Sequence, residues 1–244
     1  MKISVVIPAY DTSHYLPEAM YSVMGQEYLR WDMIVIVDRA DRSGCYEIAT
    51  EIKSSSKQYK KIHVFQSKYE GCPTVTHEGI LLAPHDVCTI LDSDDALVPT
   101  SLSVIHKNMT WDVGFLWTMY QCMGNKSLGY SKPLPAEYTN LKSTIMNTGW
   151  WGAMHQRVFR KRFYMTTSGL SNRWLSAVDF QMMCLMASTG CKCRHVPEVT
   201  YMYRRNRTGS LSYSNREDQK RCEIEIRSAF RRGELGVKES PDCA

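Results

Sequence analysis

The sequence predicts an α/β fold, a mainly parallel sheet with helices on both faces. Three observations carry that prediction. The first hundred residues alternate a short apolar run with a helical pattern four times, the order that builds parallel strands joined by crossovers. The runs are rich in β-branched residues, as buried strands are. Three of them end in acidic or loop-forming residues: Pro8-Ala9-Tyr10-Asp11, Asp38, and Asp92-Ser93-Asp94-Asp95. In sheets of this kind ligands gather beyond the carboxyl ends of the strands.

The elements follow in order. Ile3 to Ile7 reads as a strand ended by Pro8, and Pro17 suits a helix start, with Leu16, Met20, Val23 and Met24 at helical spacing. Trp31 to Val37 is a second strand, Gly44 to Ser54 a helix, Ile62 to Phe65 a third strand and Thr74 to Leu82 another helix. Val87 to Leu91 then runs into the acidic cluster. Trp111 to Tyr120 reads as a strand of an antiparallel or mixed region, and Met123 to Tyr138 as a long loop. Leu141 to Asn147 is a short helix, Leu175 to Ala187 a very apolar one, and Val196 to Tyr203 a last strand. Arg216 to Arg232 is a mixed-charge helix anchored by Ile224, Ile226 and Phe230.

Composition narrows the classes. The chain has 244 residues, 43% hydrophobic and 23% charged, as an ordinary globular protein does. No run reaches the roughly 18 apolar residues of a membrane span. The apolar start breaks at Pro8, too early for a secretory signal. Nine scattered cysteines then read as reduced thiols of a cytoplasmic protein. The net charge of +5 suits an anionic small molecule and does not argue for nucleic acid. Neither a GxGxxG nor a GxxxxGK[ST] pattern follows the first strand. Phosphates would have to be held by a metal and basic side chains.

The cluster Asp92-Ser93-Asp94-Asp95 is the strongest chemical signal. Extended backbone would put Asp92 and Asp94 on one side, where their oxygens suit a hard divalent ion such as Mg²⁺ or Mn²⁺. An acidic turn before a helix reads equally well from these residues alone. Asp179 is a lone carboxylate in an apolar helix. It either faces solvent or is tuned for proton transfer. Trp151 sits in an aromatic, glycine-flanked segment that reads as core or as a platform for sugar C–H faces. Arg204 to Arg207 form a basic loop suited to phosphate.

Taken together, these residues resemble the family 2 glycosyltransferases, which have the GT-A fold, over roughly Lys2 to Ser212. Ile3 to Asp11 resembles the family's opening strand and loop. Leu16, Ser22 and Gln26 match its first helix, Gly71 and Gly79-Ile80 the glycines flanking its third, and Leu91 to Asp95 with Pro99 its DxD segment. Tyr203-Arg204 and Gly209-Ser210 resemble its closing strand and loop.

The resemblance implies inverting sugar transfer from a nucleotide donor, UDP-linked, to a glycan, lipid-linked or small-molecule hydroxyl acceptor. Pro8, Ala9, Tyr10 and Asp11 would wall the base pocket, Asp38 would accept the uracil N3–H, and Asp92 and Ser93 would lie against the ribose. Asp94, with Asp92, would hold Mn²⁺ or Mg²⁺, and Asp179 would be the base. Arg204 and Arg207 would close over the diphosphate. Arg39 replaces an acidic residue of the family, and Thr76-His77 an Arg-Asn pair. Arg39 either meets a phosphate or sugar or is merely tolerated. The implied layout is a catalytic domain over 1–212, with a nucleotide-binding half at 1–99 and an acceptor half at 100–212, followed by a helix and tail at 213–244. No transmembrane segment is expected, although peripheral membrane contact is compatible with the mixed-charge helix. Two other classes fit parts of the pattern: a sugar-nucleotide or glycan-binding module without catalysis, and a metal-dependent nucleotidyltransferase or phosphatase.

Overall fold

The amino-terminal half is built from mainly apolar runs rich in β-branched residues, and Ile3–Ala9 and Val87–Ile90 are buried along their whole length. The computed structural model describes residues 1–123, 128–129, 140–148, 152, 155–205 and 216–237. In chain order the strands are β1 (Ile3–Ala9), β2 (Trp31–Val37), β3 (Ile62–Gln66), β4 (Val87–Ile90), β5 (Ala96–Leu97), β6 (Val113–Cys122), β7 (Leu128–Gly129), β8 (Arg157–Arg160) and β9 (Lys192–Tyr203). The helices are α1 (Leu16–Met24), α2 (Cys45–Ser55), α3 (Cys72–Leu82), α4 (Ser101–Asn108), α5 (Leu141–Thr148), α6 (Lys161–Tyr164), α7 (Val178–Ser188) and α8 (Arg216–Arg231).

The strands form one mixed sheet in the order β3-β2-β1-β4-β8-β6-β9-β5, with β7 on β6. The expected parallel half is β3-β2-β1-β4. Its register aligns Ala9 with Val37 and Val6 with Ile90, so the acidic strand ends arrive at one edge. β8 runs antiparallel to both β4 and β6. Its first residue therefore also reaches that edge.

Side-chain alternation divides the core between the two faces of the sheet. Val5, Ile7, Met33 and Val35 pack with α1, α2 and α4. Val6, Ile34, Ile36 and Ile90 pack with α3, α5, α7 and α8.

Several expectations change. The segment after β4 is not extended: the Asp95 N–H bonds to the Asp92 carbonyl at 3.0 Å, closing a turn. Asp92 and Asp94 are therefore not same-side neighbours of a strand. The acids do not cap α4 either, whose first turn receives no side-chain cap. β6 starts at Val113 because Trp111 and Asp112 form an exposed turn. α7 starts three residues late, since Ala177 before it is left-handed (φ 62°). In α8 the anchors are Cys222, Ile226, Ala229 and Phe230, while Ile224 is exposed. No disulfide joins the described cysteines. Among the described residues no helix is long and apolar enough to cross a membrane. Most of the expected loop at 123–138, together with Trp151 and Arg207, lies outside the described residues.

Candidate active site

The carboxyl ends of β1, β2 and β4 open into a cleft of about 440 Å³. Pro8, Ala9, Tyr10, Asp11, Asp38, Asp92, Ser93, Asp94 and Asp179 all line it, joined by His155, Arg157 and Gln219.

At one end the β1–α1 loop turns through Asp11, which has a left-handed φ of 51°. Its N–H donates to Asp41 Oδ1 at 2.9 Å, and Asp41 Oδ2 accepts the N–H groups of Gly44 and Cys45 at the start of α2. Burial pushes the Asp41 carboxyl up, but these bonds and the Ser43 hydroxyl outweigh it and hold it below the ordinary range. Asp38 is buried. Its Oδ1 accepts from the Ala40 N–H at 2.8 Å and its Oδ2 from the Gly71 N–H at 2.7 Å. Gly71 has φ 90°, and a Cβ there would meet the Asn172 side chain at 2.8 Å. Only glycine brings this N–H so close to the acid.

The middle of the cleft is a charge cluster. Arg157, almost fully buried, donates through Nη2 to both oxygens of Asp92 at 3.2 and 3.3 Å. Through Nη1 it pairs with Asp179 in the first turn of α7. Burial pushes the Asp92 carboxyl up, yet the charge of Arg157 holds it below the usual range. Asp95 accepts the Tyr201 hydroxyl at 2.8 Å and the Arg204 N–H at 2.6 Å. Burial and the charges of Asp92 and Asp94 push its carboxyl well up. His155 stacks on Tyr201 and Tyr203, with ring centroids 4.6 and 5.3 Å away. Burial, and then the Arg157 charge, push its imidazole down to about 3, so the ring is neutral at pH 7.

Asp92, Asp95 and His155 each bring a ligand atom within 4.8 Å of the others. Two carboxylate oxygens and a neutral imidazole nitrogen suit a divalent ion such as Mn²⁺. Of the two expected metal ligands, Asp92 is in this converging set. The turn brings Asp95 back beside Asp92 and leaves Asp94 on the cleft wall outside the set.

The remaining expected residues are spread out. Ser93 is buried and accepts the Thr12 hydroxyl at 2.9 Å. Arg39 turns away from the cleft to pair with Glu70 at 2.9 Å, both side chains more than half exposed. Arg204 bonds the Asp94 carbonyl at 2.8 Å, pairs with Glu18 and lies over the Tyr15 ring. It braces the acidic turn from behind.

His155, Arg157 and Tyr201 are the residues that sequence reasoning missed. An arginine opening a short apolar run, Arg157-Val158-Phe159, was their one signal.

A family model described as glycosyl transferase family 2 matches residues 4–165. The chain belongs to glycosyl transferase family 2. Among its relatives, the "putative colanic acid biosynthesis glycosyl transferase WcaA" of Escherichia coli K12 is 28% identical over 134 residues, 54% of this chain and 46% of that protein. Glycosyltransferase GlyG of Streptococcus pneumoniae is 29% identical over 44% of this chain and 35% of its own length. The match thus spans under half of either relative. The E. coli UDP-Glc:alpha-D-GlcNAc-diphosphoundecaprenol beta-1,3-glucosyltransferase WfgD is 20% identical over 75% of each chain.

The fold is seen in solved structures too. S. aureus TarS 1-349 in complex with UDP-GlcNAc superposes with a TM-score of 0.70 at 16% identity, covering 93% of this chain and 65% of TarS 1-349. A Pyrobaculum calidifontis mannosyltransferase in complex with GDP-Man and Mn²⁺ gives 0.60 at 14% identity, over 85% and 58%. These likenesses establish the GT-A fold of the chain.

Proposed function

We propose that this chain is a metal-dependent inverting glycosyltransferase that moves a sugar from a UDP donor to a glycan or other hydroxyl acceptor. The observation that carries the reading is one cleft holding Asp38 at one end, the Asp92–Asp95–His155 set in the middle and Asp179 beside it. WfgD is named for UDP-Glc, and TarS is solved with UDP-GlcNAc. Both favour uridine over other bases.

Asp38 has two oxygens fixed by backbone N–H groups, and each keeps a lone pair for the uracil N3–H. Pro8 to Asp11 wall the base. A divalent ion held by Asp92, Asp95 and His155 would supply positive charge for the departing diphosphate. Asp179 takes the acceptor hydroxyl proton as that oxygen attacks the anomeric carbon. The bond from the anomeric carbon to the diphosphate oxygen breaks on the opposite face, and its electron pair leaves with the diphosphate. A positioned base contributes about 10²–10⁴-fold. Arg157 orients Asp92 and Asp179 together through one planar guanidinium.

Calorimetric titration with UDP, with and without Mn²⁺, tests the reading. Heat of binding should appear only with the ion, and Asp95→Asn should weaken it at least tenfold. Binding that is equally tight in EDTA would reject the metal set.

A second reading is favoured by the Arg157–Asp179 pair, which occupies the base: a sugar-nucleotide-binding module without transfer. It predicts metal-dependent UDP binding with no turnover of any UDP-sugar.

A further inference from the structure

Asp179 is the second residue of α7, and the backbone that delivers it is unusual. Ala177, just before the helix, has φ 62° and ψ 37°. Any residue with a Cβ is strained there, and the conformation persists only where its surroundings fix it. Two clasps do so. Gln181, fully buried, accepts the Ser171 N–H at 3.0 Å and donates to the Ser171 carbonyl at 3.2 Å. The second clasp comes from outside the segment: the buried Ser176 hydroxyl donates to Asp218 Oδ2 at 2.8 Å. Asp218 lies in the first turn of α8, and its neighbour Gln219 lines the cleft. α8 lies beyond the 4–165 region that the family model matches.

We propose that Ser176 and Asp218 are positioning residues for Asp179, and that α8 is thereby part of the catalytic unit. Their hydrogen bond fixes the residue next to the strained Ala177. Without it the turn relaxes towards right-handed backbone, and the carboxylate two residues on swings off the line to the acceptor hydroxyl. A displacement near 1 Å is enough to cost about 100-fold in rate. The donor end of the cleft, at Asp38 and the Pro8 loop, is untouched by this movement. The proposal rests on the reading of Asp179 as the base.

The test uses the full chain with Mn²⁺ and a panel of UDP- and GDP-sugars. Nucleoside diphosphate release is followed with water or p-nitrophenyl glycosides as the receiving hydroxyl. Ser176→Ala and Asp218→Ala should each lower kcat by about 10- to 100-fold and leave donor KM within about twofold. The double variant should be no slower than the worse single one, because both remove the same bond. Asp218→Asn, which still offers an acceptor oxygen, should keep kcat within about threefold of wild type. A purely structural role would instead lower Tm without separating kcat from KM. Wild-type kcat in both alanine variants, or losses that multiply in the double variant, would overturn the proposal. No release by the wild type from any donor would overturn the reading of the base itself.

Discussion

Asp92 and Asp179 share one guanidinium, and their consequences separate on mutation. Asp179→Asn keeps the shape and the nearby positive charge but removes the base. UDP binding with Mn²⁺ should stay within about twofold, while turnover falls about 10²–10⁴-fold. Paired calorimetry and diphosphate-release assays read the two effects, and normal turnover would remove Asp179 from its proposed role. Asp32 makes a separate prediction, far from the cleft. Its oxygens meet His63 Nε2 at 3.0 Å and His85 Nε2 at 2.8 Å. Burial pushes its carboxyl up, but the two imidazoles outweigh that and hold it below its ordinary value of 3.8. A depressed folded pKa means that the contribution to stability is present above 3.8 and is lost as pH falls through the folded value. Asp32→Asn should cost on the order of 1 kcal/mol at pH 7, after allowing for partial exposure. The gap between the two proteins should narrow as the pH falls below 3.8 in denaturant melts. A gap that is constant with pH would show that charge plays no part. At this scale the strand-end acids were legible, because an acid that ends an apolar run is a local pattern. His155 and Arg157 were not. They enter the cleft at the start of an antiparallel strand, and only the pairing of β8 with β4 and β6 brings them there.

α3 approaches the sheet closely at Gly79. A Cβ on Gly79 would stand 2.6 Å from Val6 Cγ1 and 2.9 Å from Ile36 Cγ2. Both neighbours are buried strand residues that cannot retreat. Gly79→Ala should gain about 1 kcal/mol of helix propensity and lose about 1–3 kcal/mol to overpacking. The expected result is a Tm several degrees below wild type by calorimetry. A Tm at or above wild type would mean that α3 rides higher over β1 and β2. The elements of the first half were readable because most of their strands are mainly apolar segments followed by a proline or an acid. In the second half the signals are shorter than the periods that reveal them. β7 has two residues, and the four of β8 begin and end in arginine. The late start of α7 follows from the backbone of Ala177, which nothing in its residue type announces.

Across the whole molecule, the sheet divides two cores, and its carboxyl edge collects acids from β1, β2 and β4 and bases from β8. The buried face of α8 packs into the same core as α5 and α7. Its mixed-charge sequence concealed that, since four buried residues among sixteen give little periodic signal. Net charge, cysteine content and the missing glycine-rich loop narrowed the class of protein. The long-range assembly of the site required the topology. The chemistry proposed for this cleft is sugar transfer from a nucleotide. The measurement that tests it most directly is nucleoside diphosphate release from UDP-, GDP-, CDP- and TDP-sugars, each with Mn²⁺ and with EDTA. Diphosphate should be released from a UDP-sugar with Mn²⁺, and EDTA should abolish that release. Folded protein that binds UDP with Mn²⁺ yet releases no diphosphate from any donor would contradict it and leave a binding module.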